Sequence, residues 1–171
     1  LLLITGKTFA QKPALTWKDV SKWNYNRGNS LSPDGQWMAW ASGPTEGDLK
    51  MTIGKTLDTL HYTYPIGANA AGLSFSKDSK YAAFKVSPKD AEAKVARKSM
   101  KPLYDKLMLV SLADNKQTTF EKVRNFSFSG NSSAWIAIQF AALETAPKDK
   151  DAAKGTDVLL YNLATKKSYN L

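Results

Sequence analysis

The sequence predicts an all-β protein in which a four-stranded antiparallel unit occurs about three times. The first observation is a repeated phrase that begins at Leu31, Phe75 and Phe128. In each copy an apolar residue and a serine precede a turn rich in Asp, Asn, Gly or Ser, and aromatic residues follow. Such turn residues adopt the backbone angles of tight turns, so the phrase is typical of a β-hairpin. The second observation is the spacing of 44 and 53 residues, which is close to the roughly 40 to 50 residues of one propeller blade.

Two further strand-like segments follow the hairpin in each repeat. They are residues 49–53 and 60–66, residues 106–112 and 116–123, and residues 157–163 and 166–171. Four strands are the number that one propeller blade needs. The sequence therefore predicts a partial β-propeller whose blades span approximately 24–67, 68–123 and 124–171. Three blades are fewer than the roughly four to eight that close a ring, so we expect residues 11–171 to be the N-terminal part of a longer propeller domain.

The repeat also predicts which side chains are equivalent. We align Trp37 with Tyr81 and Ala134. Side chains alternate along a strand with a period of two, so Trp40 and Phe84 are expected to share one face and to pack between neighbouring sheets.

The first residues predict export. Residues 1–10 resemble the end of a signal peptide, with Thr8 and Ala10 as the small residues before cleavage at Gln11. The alternative is an ordinary first β-strand. Cysteine is absent, which excludes disulfides and a cysteine-linked lipid anchor. The expected location is periplasmic or secreted, without a membrane anchor after cleavage.

Two short helices are predicted outside the strands. Thr16 and Asp19 have the spacing of a capping box, and a helix over residues 17–23 would pack as a brace against the first blade; an aromatic ligand platform is the alternative. Residues 87–103 form an insertion between the second and third strands of blade two, with Ser87 as the N-cap. Its five basic and two acidic residues indicate either a solvated helix face or a surface for an anionic partner. Residues 141–155 form a second polar excursion at the matching place in blade three.

Catalytic patterns are absent from the sequence. His61 is the one histidine, and it falls in an alternating strand pattern that favours a structural role. There is no G-x-S-x-G motif, no metal-ligand spacing and no glycine-rich phosphate loop. Asp34, Asp78 and Asn131 occupy equivalent turn positions, where bonds to the local backbone are the expected role. We therefore predict no catalytic, cofactor-binding or metal-binding residue and no cofactor.

Charge alone does not indicate a nucleic-acid partner. The net charge is +9 and the isoelectric point is about 9.6. The aromatic residues, however, belong to the repeat and are not interleaved with an arginine-rich stripe. We therefore predict that no nucleic acid binds.

Several longer phrases resemble a known family. The phrases at residues 16–20, 27–37, 84–88, 101–107 and 155–160 are similar to the N-terminal propeller of secreted bacterial serine peptidases of the prolyl oligopeptidase family. The resemblance covers the whole segment after residue 10. It implies a downstream α/β-hydrolase domain with a Ser-Asp-His triad, and a propeller that screens the access of peptide substrates to it.

None of the family's catalytic positions maps onto these residues, so the resemblance implies that the catalytic domain is absent from this segment. The glutamate pair with which the dipeptidyl peptidase branch holds a substrate amine has no counterpart here. The short Ser-Pro-Asp-Gly element that begins at Ser32 also resembles Tol-type periplasmic propellers. A non-enzymatic periplasmic propeller that binds a protein or a ligand is therefore the alternative function.

Overall fold

The computed structural model describes residues 14–130, 133–142 and 156–171. The predicted signal peptide at residues 1–10, the turn residue Asn131 and most of the excursion at 141–155 lie outside these ranges. The described helices and strands are α1 (Trp17–Val20), β1 (Asn24–Leu31), β2 (Trp37–Pro44), β3 (Leu49–Lys55), β4 (His61–Gly67), β5 (Ser74–Phe75), β6 (Tyr81–Val86), α2 (Asp90–Lys98), β7 (Asp105–Ser111), β8 (Gln117–Phe128), β9 (Trp135–Phe140), β10 (Val158–Asn162) and β11 (Ser168–Asn170).

Strands β1 to β4 form one antiparallel sheet in chain order. We call this sheet blade 1. Residues of β2 alternate between buried and more exposed positions, and its Ala39 lies fully buried opposite the fully buried Ile53 of β3. This alternation places one face of the sheet against the next sheet, as period-two patterning requires.

The other strands form a single seven-stranded sheet from β5 to β11. Its centre is β8, which is 12 residues long. The first half of β8 pairs with β7 and the second half of β8 pairs with β9. The pairing is irregular around Val123. We call β5 to β7 with the first half of β8 blade 2, and the remainder blade 3. The two predicted strand segments on either side of residue 123 are therefore one continuous strand.

A serine hydroxyl organises each hairpin turn of the repeat. The backbone N–H of Trp37 donates to Ser32 Oγ at 2.9 Å, and that of Tyr81 donates to Ser76 Oγ at 3.0 Å. In the third copy it is Trp135, not Ala134, that donates to the serine, Ser129. The alignment of Ala134 was therefore wrong, because the third turn contains one more residue and shifts the following strand by one position.

The hydrophobic core lies between the blades. Phe84 is fully buried, and its ring lies 5.5 Å from that of Tyr64 in blade 1. Between blades 2 and 3 the ring of Phe120 meets that of Tyr161 at 5.2 Å. Trp40 is only partly buried, because it faces away from blade 2. The prediction that Trp40 and Phe84 are both packed between sheets is thus correct for Phe84 alone.

Helix α1 is shorter than predicted and does not brace blade 1. It ends at Val20, and no residue in it is buried. The backbone N–H of Thr16 donates to Asp19 Oδ2 at 2.9 Å, as the capping pattern predicts. Trp17 is 84% exposed. The helix contains Trp17 but ends before Trp23, so it does not bring the two rings onto a common face against the sheet.

Helix α2 begins two residues later than predicted, since the predicted N-cap was Ser87 and the predicted first helical residue was Pro88. Lys89 is the N-cap, and Asp90 is the first helical residue. Ser87 and Pro88 are held against blade 1, since the Ser87 N–H donates to Ile66 O and Pro88 O accepts from the Ala68 N–H. These contacts with a distant strand override the local preference for a cap at Ser87. The insertion itself lies between β6 and β7, as predicted.

Candidate functional site: a crevice along the innermost strands

Three strand edges lie along one side of the described structure. Strand β1 is the edge of blade 1, and β5 is the edge of the seven-stranded sheet. In the described residues the second half of β8 pairs with β9 on one side alone. Because each of these strands is the first of its blade, they correspond to the strands that line the central channel of a propeller.

A crevice of about 370 Å³ lies between β5 and the second half of β8. We call it the inner crevice. Its apolar lining includes Leu73, Phe75, Phe126 and Phe128, and its polar lining includes Ser74, Asn125 and Ser127. The size falls within the range of sites that bind small molecules or side chains. Its mixed lining suits a peptide-like ligand, in which apolar side chains alternate with polar amide groups.

A glycine shapes one wall of the inner crevice. Gly72 has φ +66, and a Cβ built on it would lie 3.0 Å from Phe126 Cε1. Any larger residue at this position would therefore combine a strained backbone with a contact against the ring. Gly72 thus allows the ring of Phe126, on blade 3, to approach the backbone of blade 2.

A second cavity, of about 180 Å³, lies between β1 and the segment before β5. The pairing of β1 with β2 is irregular between Arg27 and Asn29, and Gly28 between them has φ +62. This bulge accompanies a turn of Arg27 toward the end of the strand, where its guanidinium donates to Thr45 O at 3.2 Å. Both cavities therefore lie on the side of the innermost strands.

One of the described residues that line the inner crevice is charged. Lys77 is the charged residue of the lining, and it forms no ion pair with any described residue. A lysine that lines a cleft raises the local concentration of anionic ligands. None of the described lining residues is a carboxylate, and the charge of Lys77 favours acidic ligands over basic ones.

The turn carboxylates have structural roles. Asp34 accepts hydrogen bonds from the hydroxyl of Ser32 at 2.5 Å and from the backbone N–H of Gln36 at 3.0 Å. The bond from Ser32, more than any other contact, lowers the pKa of Asp34. Asp78 accepts from Ser76 Oγ at 2.7 Å in the same way. These interactions stabilise the turns, as the repeated position predicts.

No described residues form a nucleophile–base pair or a metal site. His61 is exposed at the beginning of β4, with its Nδ1 atom 2.8 Å from Thr59 O. Within the described ranges no group of three or more histidine, aspartate or glutamate side chains could hold a metal ion. The described part of the chain therefore offers surfaces for binding and no arrangement for covalent chemistry.

The inner crevice was not identified from the sequence. Its apolar side chains belong to the repeat frame and read as core residues. One available signal was the alternation Phe126-Ser127-Phe128, which places two aromatic rings on one face of a first strand. The position of Gly72 became informative only when its positive φ and its contact with Phe126 were known.

Comparisons with known proteins support the fold. No family model matches the sequence, and no curated protein matches it significantly. Among solved structures, the chain is similar to the β-propeller domain of the Trilobed protease from Pyrococcus furiosus, which has an open velcro topology, with a TM-score of 0.56 and 13% identity. The similarity covers 88% of this chain and 43% of that one, so the chain spans less than half of its length. At this identity the comparison shows the fold alone, and it confirms the predicted fold class: the chain is an all-β, partial β-propeller.

Proposed function

We propose that this chain is the N-terminal part of the propeller of an exported serine peptidase similar to the prolyl oligopeptidase family. In the whole protein it would screen the access of peptides to a downstream α/β-hydrolase domain. The observation that carries the proposal is the inner crevice, a cleft of about 370 Å³ with a mixed lining on the channel side of the blades. The fold similarity to the propeller domain of a protease supports it.

The described residues support a selective role more than a catalytic one. Among the described residues, the innermost strands present unpaired edges and aromatic rings, and Lys77 in the turn after β5 also lines the inner crevice. Such groups contact peptides well. No nucleophile and base lie together in the described ranges, so the chemistry is assigned to another domain. Screening by a narrow channel would admit extended peptides and exclude folded proteins.

A first experiment tests the peptidase. The full-length protein is treated with a fluorophosphonate probe, and the labelled peptide is identified by mass spectrometry. We expect one labelled serine outside residues 1–171, because an activated serine needs a neighbouring base. A labelled serine within these residues would contradict the domain assignment. The absence of any label would favour a non-enzymatic periplasmic propeller that binds a protein or a ligand.

A second experiment tests the inner crevice. We expect Lys77→Glu to lower kcat/KM for acidic peptides and to raise it for basic peptides, by a few-fold in each case, because an exposed charge acts through a screened field. Lys167→Glu is the matched control, since Lys167 lies in the β10–β11 turn and does not line the crevice. Equal effects of the two substitutions would show that the crevice does not lie on the path of the substrate.

A further inference from the structure

Residues 88–103, which contain α2, form a fixed projection that we call the α2 segment. The N–H of Asp90 donates to Asp48 Oδ1 of blade 1 at 2.7 Å, and Pro88 O accepts from Ala68 N–H at 3.1 Å. Ala96 is 7% exposed and is the buried residue of the helix. The segment is therefore attached along one side, and its other side faces away from the blades.

Three apolar side chains of the α2 segment are exposed. Val95 is 67% exposed, Met100 is 92% exposed and Leu103 is 45% exposed. Met100 lies in the turn after the helix, with φ +50. Single exposed apolar residues are common, but these three fall within one segment of 16 residues.

Most cations of the α2 segment form no ion pair with a described residue. Lys94 forms an ion pair with Asp90 at 2.7 Å. No ion pair within the described ranges involves the other four cations, which are Lys89, Arg97, Lys98 and Lys101. Glu92 is the remaining acidic residue, so the segment presents a net charge of +3. An anionic surface would complement this charge.

The types of residue distinguish between two anionic partners. Interfaces with proteins are enriched in aromatic residues and arginine and are depleted in lysine. The α2 segment has four lysines, one arginine and no aromatic residue before Tyr104. Lysines act as point charges on a diffuse array of phosphates, and apolar side chains beside them enter the layer between headgroups and acyl chains. The segment therefore matches an anionic lipid surface better than an acidic protein.

Helix α1 adds a residue type that is typical of membrane interfaces. Strand β1 begins at Asn24 opposite Pro44, and Asp48 of the following turn holds α2, so both helices lie at the same end of the blades. Trp17 of α1 is 84% exposed there. Tryptophan is enriched at the level of lipid headgroups.

We propose that the α2 segment binds reversibly to the surface of an anionic lipid bilayer. Its lysines contact headgroup phosphates, and Val95 and Met100 enter the boundary with the acyl chains. Neither described helix has the length and apolar character needed to cross a membrane, so the contact is peripheral. The proposal does not depend on the peptidase assignment, because binding to lipid vesicles is measured without a peptide substrate.

The test is co-sedimentation of the full-length protein with phosphatidylcholine vesicles that contain or lack phosphatidylglycerol. Each cation near an anionic surface contributes about a fivefold factor in affinity. We therefore expect the double variant Lys98→Gln/Lys101→Gln to bind anionic vesicles about 25-fold more weakly, and added salt to weaken binding of the original protein. The control Lys80→Gln/Lys167→Gln removes two lysines from turns at the opposite end of the blades and should change binding less than about twofold.

A third variant separates lipid from acidic protein. Met100→Ser should weaken binding to anionic vesicles about threefold or more, because it removes an inserted apolar side chain. The Met100 side chain is too exposed in the free protein for the fold to depend on it. Circular dichroism would verify that the variant is folded. Equal binding to neutral vesicles, or equal losses in the two lysine variants, would overturn the proposal. Full binding by Met100→Ser, with displacement by polyglutamate, would replace the lipid by an acidic protein.

Discussion

Gly67 provides a sharp test of the junction between blades 1 and 2. It ends β4 with φ +68, and a Cβ at this position would lie 2.6 Å from Pro88 O and closer still to Ser87 O. Both atoms are backbone atoms of the connection between β6 and α2. A Gly67→Ala substitution therefore forces this connection away from blade 1.

The expected loss has two parts. Alanine in the left-handed region costs roughly 1 to 2 kcal/mol. Displacing the connection also weakens two backbone hydrogen bonds, from Ser87 to Ile66 at 3.0 Å and from Ala68 to Pro88 at 3.1 Å, each of which contributes about 1 kcal/mol. We expect Gly67→Ala to lower the free energy of unfolding by about 3 to 4 kcal/mol.

Gly35→Ala is the matched control. Gly35 has φ +70, and a Cβ there would have no neighbour within 4 Å. The Gly35→Ala variant has the same backbone strain as Gly67→Ala, and the effect of glycine on the unfolded chain is common to both variants. Urea unfolding of the full-length protein, followed by tryptophan fluorescence, should show a difference of about 2 kcal/mol between them. Equal losses would refute the close contact of the connection with Gly67.

Three other predictions follow from the interior. Phe84→Ala should cost about 3 to 5 kcal/mol in urea unfolding and Trp40→Ala clearly less, because Trp40 is only partly buried; equal losses would contradict the assigned faces. Ser76→Ala should cost about 1 to 3 kcal/mol in the same assay, since it leaves the Tyr81 N–H without its hydroxyl acceptor, and a neutral effect would argue against this turn geometry. Burial, with a smaller contribution from a neighbouring tyrosine, raises the pKa of Tyr64 to about 12 from 10.0. The contribution of the neutral Tyr64 hydroxyl to stability is therefore complete below pH 10 and declines as the pH rises toward 12. Tyr64→Phe should remove this part of the decline in the free energy of unfolding measured across that range.

The repeated phrase predicted the hairpins because a hairpin depends on neighbouring residues. A serine, a turn carboxylate and a small residue lie within a few positions of each other, and their hydrogen bonds form whatever the rest of the chain does. The Ser76–Asp78 bond and the strand pairing of Phe75 with Ala82 are examples. Alternation then identified Phe84 as a core residue.

Prediction was less successful wherever contacts with distant residues decided the outcome. The N-cap of α2 moved from Ser87 to Lys89 because Ile66 and Ala68 of blade 1 hold the preceding backbone by hydrogen bonds. The alignment of Ala134 failed because only the bond from Trp135 to Ser129 showed the extra residue in the third turn. Trp17 was expected to pack against a blade, but the helix that contains it is one turn long and leaves its side chain exposed.

The inner crevice and the α2 segment also combine features that the sequence determines with features that only the tertiary structure decides. The sequence by itself determined the strands, the turns, the blade-like repeat and the basic character of residues 88–103, because these follow from residue type and spacing. The tertiary structure alone decided that Gly72 admits the ring of Phe126 and that Met100 is left exposed. Such features depend on how separate blades approach one another, and that approach is set by side chains far apart in the chain.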